Sequence, residues 1–346
     1  MKKILLGFFG LVYLLLPQVA SAHEAYVLTR QEFDQGLLIT AKNPFGPLID
    51  PSHLGLFLFI SVCVGLSFLL VLLWSTTSWA RVLDKLIKKA TLVGPLIIRL
   101  AISASFFYAA QSNSVLGPEL TLAHLPGGQV VRFLLYLVAI MVFSGFFVEL
   151  AGFIGLCIFV YMTRFYGLYM LTYLNYLGEL LVLFLFGTRF VSFDRYLFGK
   201  KLWFQQIEKL RKYETPIIRV LYGLALIYAG WSIKFVHQNL SIEVYNQYHL
   251  QDFFRASAGF IAAGAGLSEI LIGLFILIGF FMRWTILISL FFITISLLYF
   301  HELIWPHLML YGISFSLLIN SGDSLTIDHY MVPWARKLLG RLGSRR

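Results

Sequence analysis

Cysteine is scarce in this chain. Cys63 and Cys157 are the only two, both lie inside apolar runs, and they form no Cys-x-x-Cys pair. That excludes dithiol redox chemistry and a cysteine-rich metal site. Charge is scarce as well: charged residues make up 13% of the 346 residues, against 59% hydrophobic. Together with a mean hydropathy of +0.81, this excludes a soluble domain and describes an integral membrane protein. The net charge of +10 does not indicate nucleic acid as a partner, because the basic residues fall in short blocks between apolar runs, where membrane topology accounts for them. No GKS or GKT follows Gly259, Gly264, Gly266 and Gly273. These glycines therefore make no phosphate loop, and in an apolar run they let helices approach closely. No Ser–His–Asp order can be assigned, and no histidine pair has the three- or four-residue spacing of a helical ligand pair.

The most informative stretch is Ala256–Phe300. It is almost wholly apolar, too long for one crossing, and its charges are Glu269 and Arg283. Arg283 fits a turn between two crossings. Glu269 sits among Leu267, Ile270, Leu271 and Ile272, where a carboxylate costs several kcal/mol unless it faces protein, water or a partner. It is either a working carboxylate that relays protons or binds a ligand, or a structural one that joins helices.

Taken in order, residues 1–22 read as a secretory signal: Lys2 and Lys3, an apolar core from Ile4 to Leu16, and Ala20-Ser21-Ala22 before the cut. Cleavage there leaves His23 as the mature N-terminus, and the alternative is an uncleaved anchor. Residues 23–52 form a short segment on the outer face, and 53–93 a leading transmembrane helix with a basic loop (Arg81, Lys85, Lys88, Lys89). A first four-helix unit spans 94–199, a basic linker 200–214, a second unit 215–330 and a basic tail 331–346. The positive-inside rule places the basic blocks in the cytoplasm and the mature N-terminus outside. About nine crossings result.

The two units share polar marks. PLIIRL (Pro95–Leu100) resembles TPIIRV (Thr215–Val220), and Arg99 and Arg219 stand 219 − 99 = 120 positions apart. Tyr108 and Tyr228, and Glu149 and Glu269, have the same spacing. FDRY at 193–196 and IDHY at 327–330 are instead 328 − 194 = 134 apart. An insertion after Glu269, containing the His301–His307 turn, is expected from that difference. Four helices per unit put both ends of each unit on one side, so the repeats are expected to be parallel.

The second unit resembles the DoxX family of four-helix bacterial membrane proteins. Arg219, then Ala229, Gly230 and Lys234, then the run from Ser268 to Trp284 with its Glu and Arg, then Asp328, carry the likeness. The first unit keeps Arg99, Glu149, Arg164 and Asp194 but has Ser114 where the second has Lys234. The resemblance implies an all-α polytopic protein of the bacterial inner membrane, with two parallel DoxX-like repeats after the signal and the leading helix. It also implies a quinone-linked oxidoreductase accessory or anchor subunit, partnered by membrane lipid and by a protein in the inner membrane or periplasm. The competing readings are a non-enzymatic transporter or assembly factor, and outer-face copper handling.

Candidate catalytic residues are Glu269 and Glu149, with Arg219 as a partner. Seven of the eight histidines fall at the outer ends of helices under this topology. His301 and His307 are candidates for a cofactor such as a quinol headgroup, or are plain interfacial residues. His23 would offer its amine and ring nitrogen to copper. Glu179 and Glu302 lie near helix ends and rank lower.

Overall fold

A computed structural model describes residues 28, 30–91, 93–187, 193–198, 205–320 and 323–343. The expected signal segment and His23 lie outside the described residues. The regular structure among them is helical, apart from one isolated bridge between Ser114 and Thr121. Helix α1 covers Arg30–Gly36, α2 Pro51–Ser75 and α3 Ser78–Lys88; the bundle then runs through α4 Gly94–Gln111, α5 Gly128–Ser144, α6 Val148–Tyr166 and α7 Leu174–Phe186. A 3-10 turn (Gly167–Tyr173) joins α6 to α7. Short α8 (Phe193–Phe198) and a 3-10 segment (Gln205–Tyr213) lead to α9 Glu214–Ala229. A π-helical segment, Gly230–Val236, continues α9. Then follow α10 Gln238–Gln247, α11 Leu250–Phe254, α12 Ala258–Ile278, α13 Met282–Tyr299, α14 Ile304–Ile319 and α15 Ile327–Gly343.

Five runs are long and apolar enough to cross a membrane: Pro51–Ser75, Val148–Phe186, Lys209–Val236, Ala258–Ile278 and Met282–Tyr299. The protein is an all-α, multi-pass membrane protein. Exposed Phe133, Phe143, Val160, Phe291 and Leu298 are what a lipid-facing surface requires, since the solvent there is hydrocarbon. Helix α2 buries no residue against the rest of the chain. Beyond it, α3 carries Asp84, which pairs with Arg283 at the start of α13, so the expected place of Arg283 at a turn holds.

Helices α4–α7 and α9–α14 form two halves that interlock. The last helix of each half packs on the first helix of the other. Gly178 of α7 lies against Leu221 of α9, and Gly312 of α14 against Ala101 of α4. The spacings are 312 − 178 = 134 and 221 − 101 = 120. Ile102, Phe106, Leu135, Tyr222, Ile286 and Ile313 fill the shared core.

Each half turns one corner in the same way. Helix α5 ends at Gly145 and α12 at Gly279, both at φ +70°, a left-handed conformation that glycine adopts without steric cost. Phe147 and Phe281 follow at φ +48° and +45°. The Phe147 N–H donates to Asp194 Oδ1 at 3.0 Å, and those of Phe281 and Met282 donate to Asp328 at 2.7 and 2.8 Å. Asp194 and Asp328 return their own N–H groups to the Gly145 and Gly279 carbonyls. Both corners are therefore closed by an aspartate 47 residues downstream of its phenylalanine (194 − 147 and 328 − 281).

These corners correct the expected register. Residue 149 matches Arg283 at the 134 spacing, and Glu149 stands in the first turn of α6 while Glu269 lies in the middle of α12. The Glu149–Glu269 pairing does not hold. Nor does the expected insertion after Glu269. The change from a 120 to a 134 spacing falls before α12's end, where the π segment, α10 and α11 stand in place of the loop joining α4 to α5.

Candidate functional site

A cavity of about 80 Å³ lies between the halves, lined from α7 and its 3-10 turn, from α9 and its π segment, and from α12, α14 and Phe33 of α1. Volume of that size holds several waters when polar partners surround it. Here they do: Tyr169, Tyr173, Asn175, Tyr176, Tyr222, Glu269 and His307 all line it.

Glu269 enters from α12 because α12 and the end of α9 touch backbone to backbone. A Cβ on Gly230 would sit 2.9 Å from the Gly266 carbonyl, and one on Gly273 would sit 2.7 Å from that of Gly223. Small residues at such crossings replace side-chain packing with close helix approach. The π segment begins at Gly230 and widens the helix by one residue per turn, a device frequent at functional sites. It brings Lys234 Nζ to 4.0 Å from Glu269 Oε2, both side chains largely buried at 12% and 15% exposure. Lys234 is thus the cation that compensates Glu269.

Arg219 was expected in that role, and the structure places it elsewhere. Its Nε meets Asp323 Oδ2 at 3.2 Å, and its other nitrogens donate to the carbonyls of Ile276, Leu277 and Leu325. A cation on the last carbonyls of α12 complements the helix dipole, so Arg219 fastens the basic end of the bundle. Glu149 also lies at that end, against Gly187 and in the field of Asp194 and Arg211. Neither joins the cavity.

His307 and Glu302 form a second polar group. His307 Nε2 pairs with Glu302 Oε2, its Nδ1 meets the Leu303 carbonyl at 2.8 Å, and Ser296 Oγ donates to Glu302 Oε1. A carbonyl only accepts, so Nδ1 carries a proton. Nε2 is then the nitrogen that faces the Glu302 carboxylate. His307 lines the cavity, whereas His301, at φ +54°, is exposed. The two histidines read together from the sequence are therefore separated by burial. Among the described residues no group of three His, Cys, Asp or Glu could hold a metal.

The tyrosines were missed by sequence reading. Tyr169 and Tyr173 donate to Glu119 Oε1, Tyr176 shares a hydrogen bond of 2.6 Å with Ser105, and Tyr222 reaches Ser289 and Ser314 at 3.3 and 3.2 Å. Aromatic residues abound in membrane chains, so nothing in composition marks these four. Their one local signal is the repeated Tyr spacing at 169, 173 and 176, which puts three hydroxyls on one helical face.

This geometry defines a helical membrane protein with a polar cavity enclosed by apolar helices. A DoxX family model matches residues 215–302, from the start of α9 to the glutamate that holds His307. No curated protein matches the chain, and no solved structure does.

Proposed function

We propose that this DoxX-like membrane protein holds a small ring-shaped ligand with hydroxyl or carbonyl groups in the cavity between its halves, a quinol best of all. In that role it serves as an accessory or anchor subunit of a quinone-linked oxidoreductase in the bacterial inner membrane. The observation that carries the reading is the lining itself. Tyrosine hydroxyls and Asn175 can donate to carbonyl oxygens, Glu269 can accept from a hydroxyl, and Leu226, Ala229 and Leu310 supply apolar surface for a ring. Those residues fit a quinone, and the bound group would supply two-electron redox chemistry that the chain's own side chains lack. A partner protein in the membrane or periplasm would exchange the electrons. We further infer that the halves are tandem DoxX-like repeats, supported by the matched corners and the reciprocal Gly178 and Gly312 contacts. The orientation we propose has the N-terminus periplasmic and the C-terminus cytoplasmic, from the basic blocks.

One feature favours a second reading as a transporter. The α9 helix changes geometry at the cavity, and discontinuous helices at a repeat interface are how many transporters build their sites. Copper handling would rest on His23, outside the described residues.

Purification from native membranes, with mass spectrometry of lipidic ligands and co-purifying proteins, tests the proposal. Quinone should be retained by wild type and by protein carrying a silent surface change, and lost by Glu269→Gln, with both variants accumulating normally. Glu269→Ala should lower accumulation as well, by about 1 kcal/mol of stability. Equal quinone retention in Glu269→Gln would sink the assignment of Glu269, and a wild type free of quinone would favour the transporter reading.

A further inference from the structure

Below the cavity, towards the basic end of the bundle, α7 carries a carboxyl group that the ligand reading does not use. Glu179 is 1% exposed. Its Oε1 is buried with no hydrogen-bond partner among the described residues. It lies one helical turn from Asn175, which lines the cavity, and so shares its face of α7, about 6 Å further along the axis. The remaining distance to Gly187, where α7 ends, is about 12 Å.

The charged groups around Glu179 can be named by element. Helix α9 offers Glu214 in its first turn, within electrostatic reach of Glu179. It also offers Arg219, but that guanidinium is turned to Asp323 and three carbonyls. The segment before α9 offers Arg211, whose Nη2 donates to the Phe186 carbonyl at 2.8 Å. Helix α6 offers Glu149, which lies further on at the basic end against Gly187. Glu179 is thus a membrane-depth carboxyl within electrostatic reach of another carboxyl, and among the described residues it makes no ion pair with a cation.

A carboxylate in that position would leave a buried oxygen without a donor and face a like charge, at a cost of several kcal/mol. A neutral acid removes the repulsion and lowers the cost of burial, since it carries no charge. We propose that Glu179 is a protonated carboxylic acid that, with Glu214, connects the cavity to the basic end for protons. The step balances simply. The Glu179 O–H bond breaks as its proton passes through an intervening water to form a new O–H bond on the Glu214 carboxylate. Glu179 then takes a proton from a hydronium ion reaching the cavity, which is left as water, and Glu214 passes its own proton to a water at the basic end, which leaves as hydronium. No electron moves, and the same steps run in reverse. The inference goes beyond the ligand reading, since it requires only water in the cavity and holds for a quinol site or a transporter alike.

Infrared spectroscopy of the full chain in liposomes reads this directly. Wild type at neutral pH should show the carbonyl band of a protonated carboxylic acid, and Glu179→Gln should lose that band. Glu214→Gln should keep it but slow its shift in heavy water by about a hundredfold, the low end of what a positioned proton-transfer group supplies. Should Glu179→Gln fail to fold, the wild-type band and the Glu214→Gln exchange rate still decide. Absence of the band in wild type, its persistence in Glu179→Gln, or unchanged exchange in Glu214→Gln would each overturn the proposal. Quinone retention, measured on the same samples, reports separately on the cavity ligand.

Discussion

The two halves of the bundle agree at one end and part at the other. At the basic end each corner has a left-handed glycine, a phenylalanine at positive φ and an aspartate 47 residues on. At the opposite end the first half closes with a tight loop whose Val115, Leu116 and Leu120 are buried. The second half instead inserts the π segment, α10 and α11. That insertion puts Lys234 beside Glu269. The difference teaches that the corners are what the halves share, while the Lys234–Glu269 pair stands where the second half departs from the first. Glu119, in the loop of the first half, accepts from Tyr169 and Tyr173, two residues that line the cavity.

The comparison can be broken at its strongest tie first. Arg219→Ala removes a buried guanidinium and strands Asp323, so it should cost about 3–5 kcal/mol of stability, read as a lower unfolding temperature in detergent. Arg219→Lys should recover part of it. If Arg219 instead served the cavity, ligand retention would fall with little change in stability.

The corners give the next largest effect. Asp328→Ala deletes two charge-assisted bonds and should cost about 2–3 kcal/mol, whereas Asp194→Ala deletes the bond from Phe147 and should cost roughly 1.5 kcal/mol. Equal costs would mean that the second bond, to Met282, contributes nothing. The Asp328 site also has a pH signature. Burial pushes its carboxyl above the ordinary range, against the opposing pull of the Met282 and Phe281 N–H groups and of Arg283. The native state therefore holds a proton that the unfolded chain has released. Stability should fall as pH rises from the ordinary carboxylate value to the raised native one. The slope should vanish in Asp328→Asn; a slope of the opposite sign would show that the N–H bonds outweigh burial.

The smallest effect sharpens the contrast within the second half. Gly273→Ala would press a methyl group onto the Gly223 carbonyl and should cost about 1–3 kcal/mol. Gly264→Ala, with open space around it, should be silent in the same thermal measurement.

Much of the fold was legible. Apolar runs marked an all-α, multi-pass membrane protein, and the lone carboxylate in Ala256–Phe300 led to the cavity. The register was not read correctly, because VELAGF and SEILIG look alike as strings while the backbone repeats Gly-Phe-Phe at 145–147 and 279–281. Those three letters mark the shared corner and have the 134 spacing of Asp194 and Asp328. Arg219 was assigned to Glu269 because both are charged residues in apolar surroundings. Sequence does not say that one stands at a helix start and the other half a helix away. His307 was found for its chemistry, but its pairing with Glu302 depends on how the turn before α14 folds.

The 47-residue reach of each corner aspartate has a consequence for how the chain is made. When α5 and α6 leave the ribosome, the Phe147 N–H lacks its Asp194 acceptor, because Asp194 has yet to be synthesised. At about 5–20 residues per second, the delay is roughly 2–9 s. During that interval α7 must enter the bilayer before α8 can latch the corner from the basic end. The same delay recurs between Phe281 and Asp328. Each half is therefore locked only after its last helix is in place, so the latch acts as a checkpoint on completed insertion.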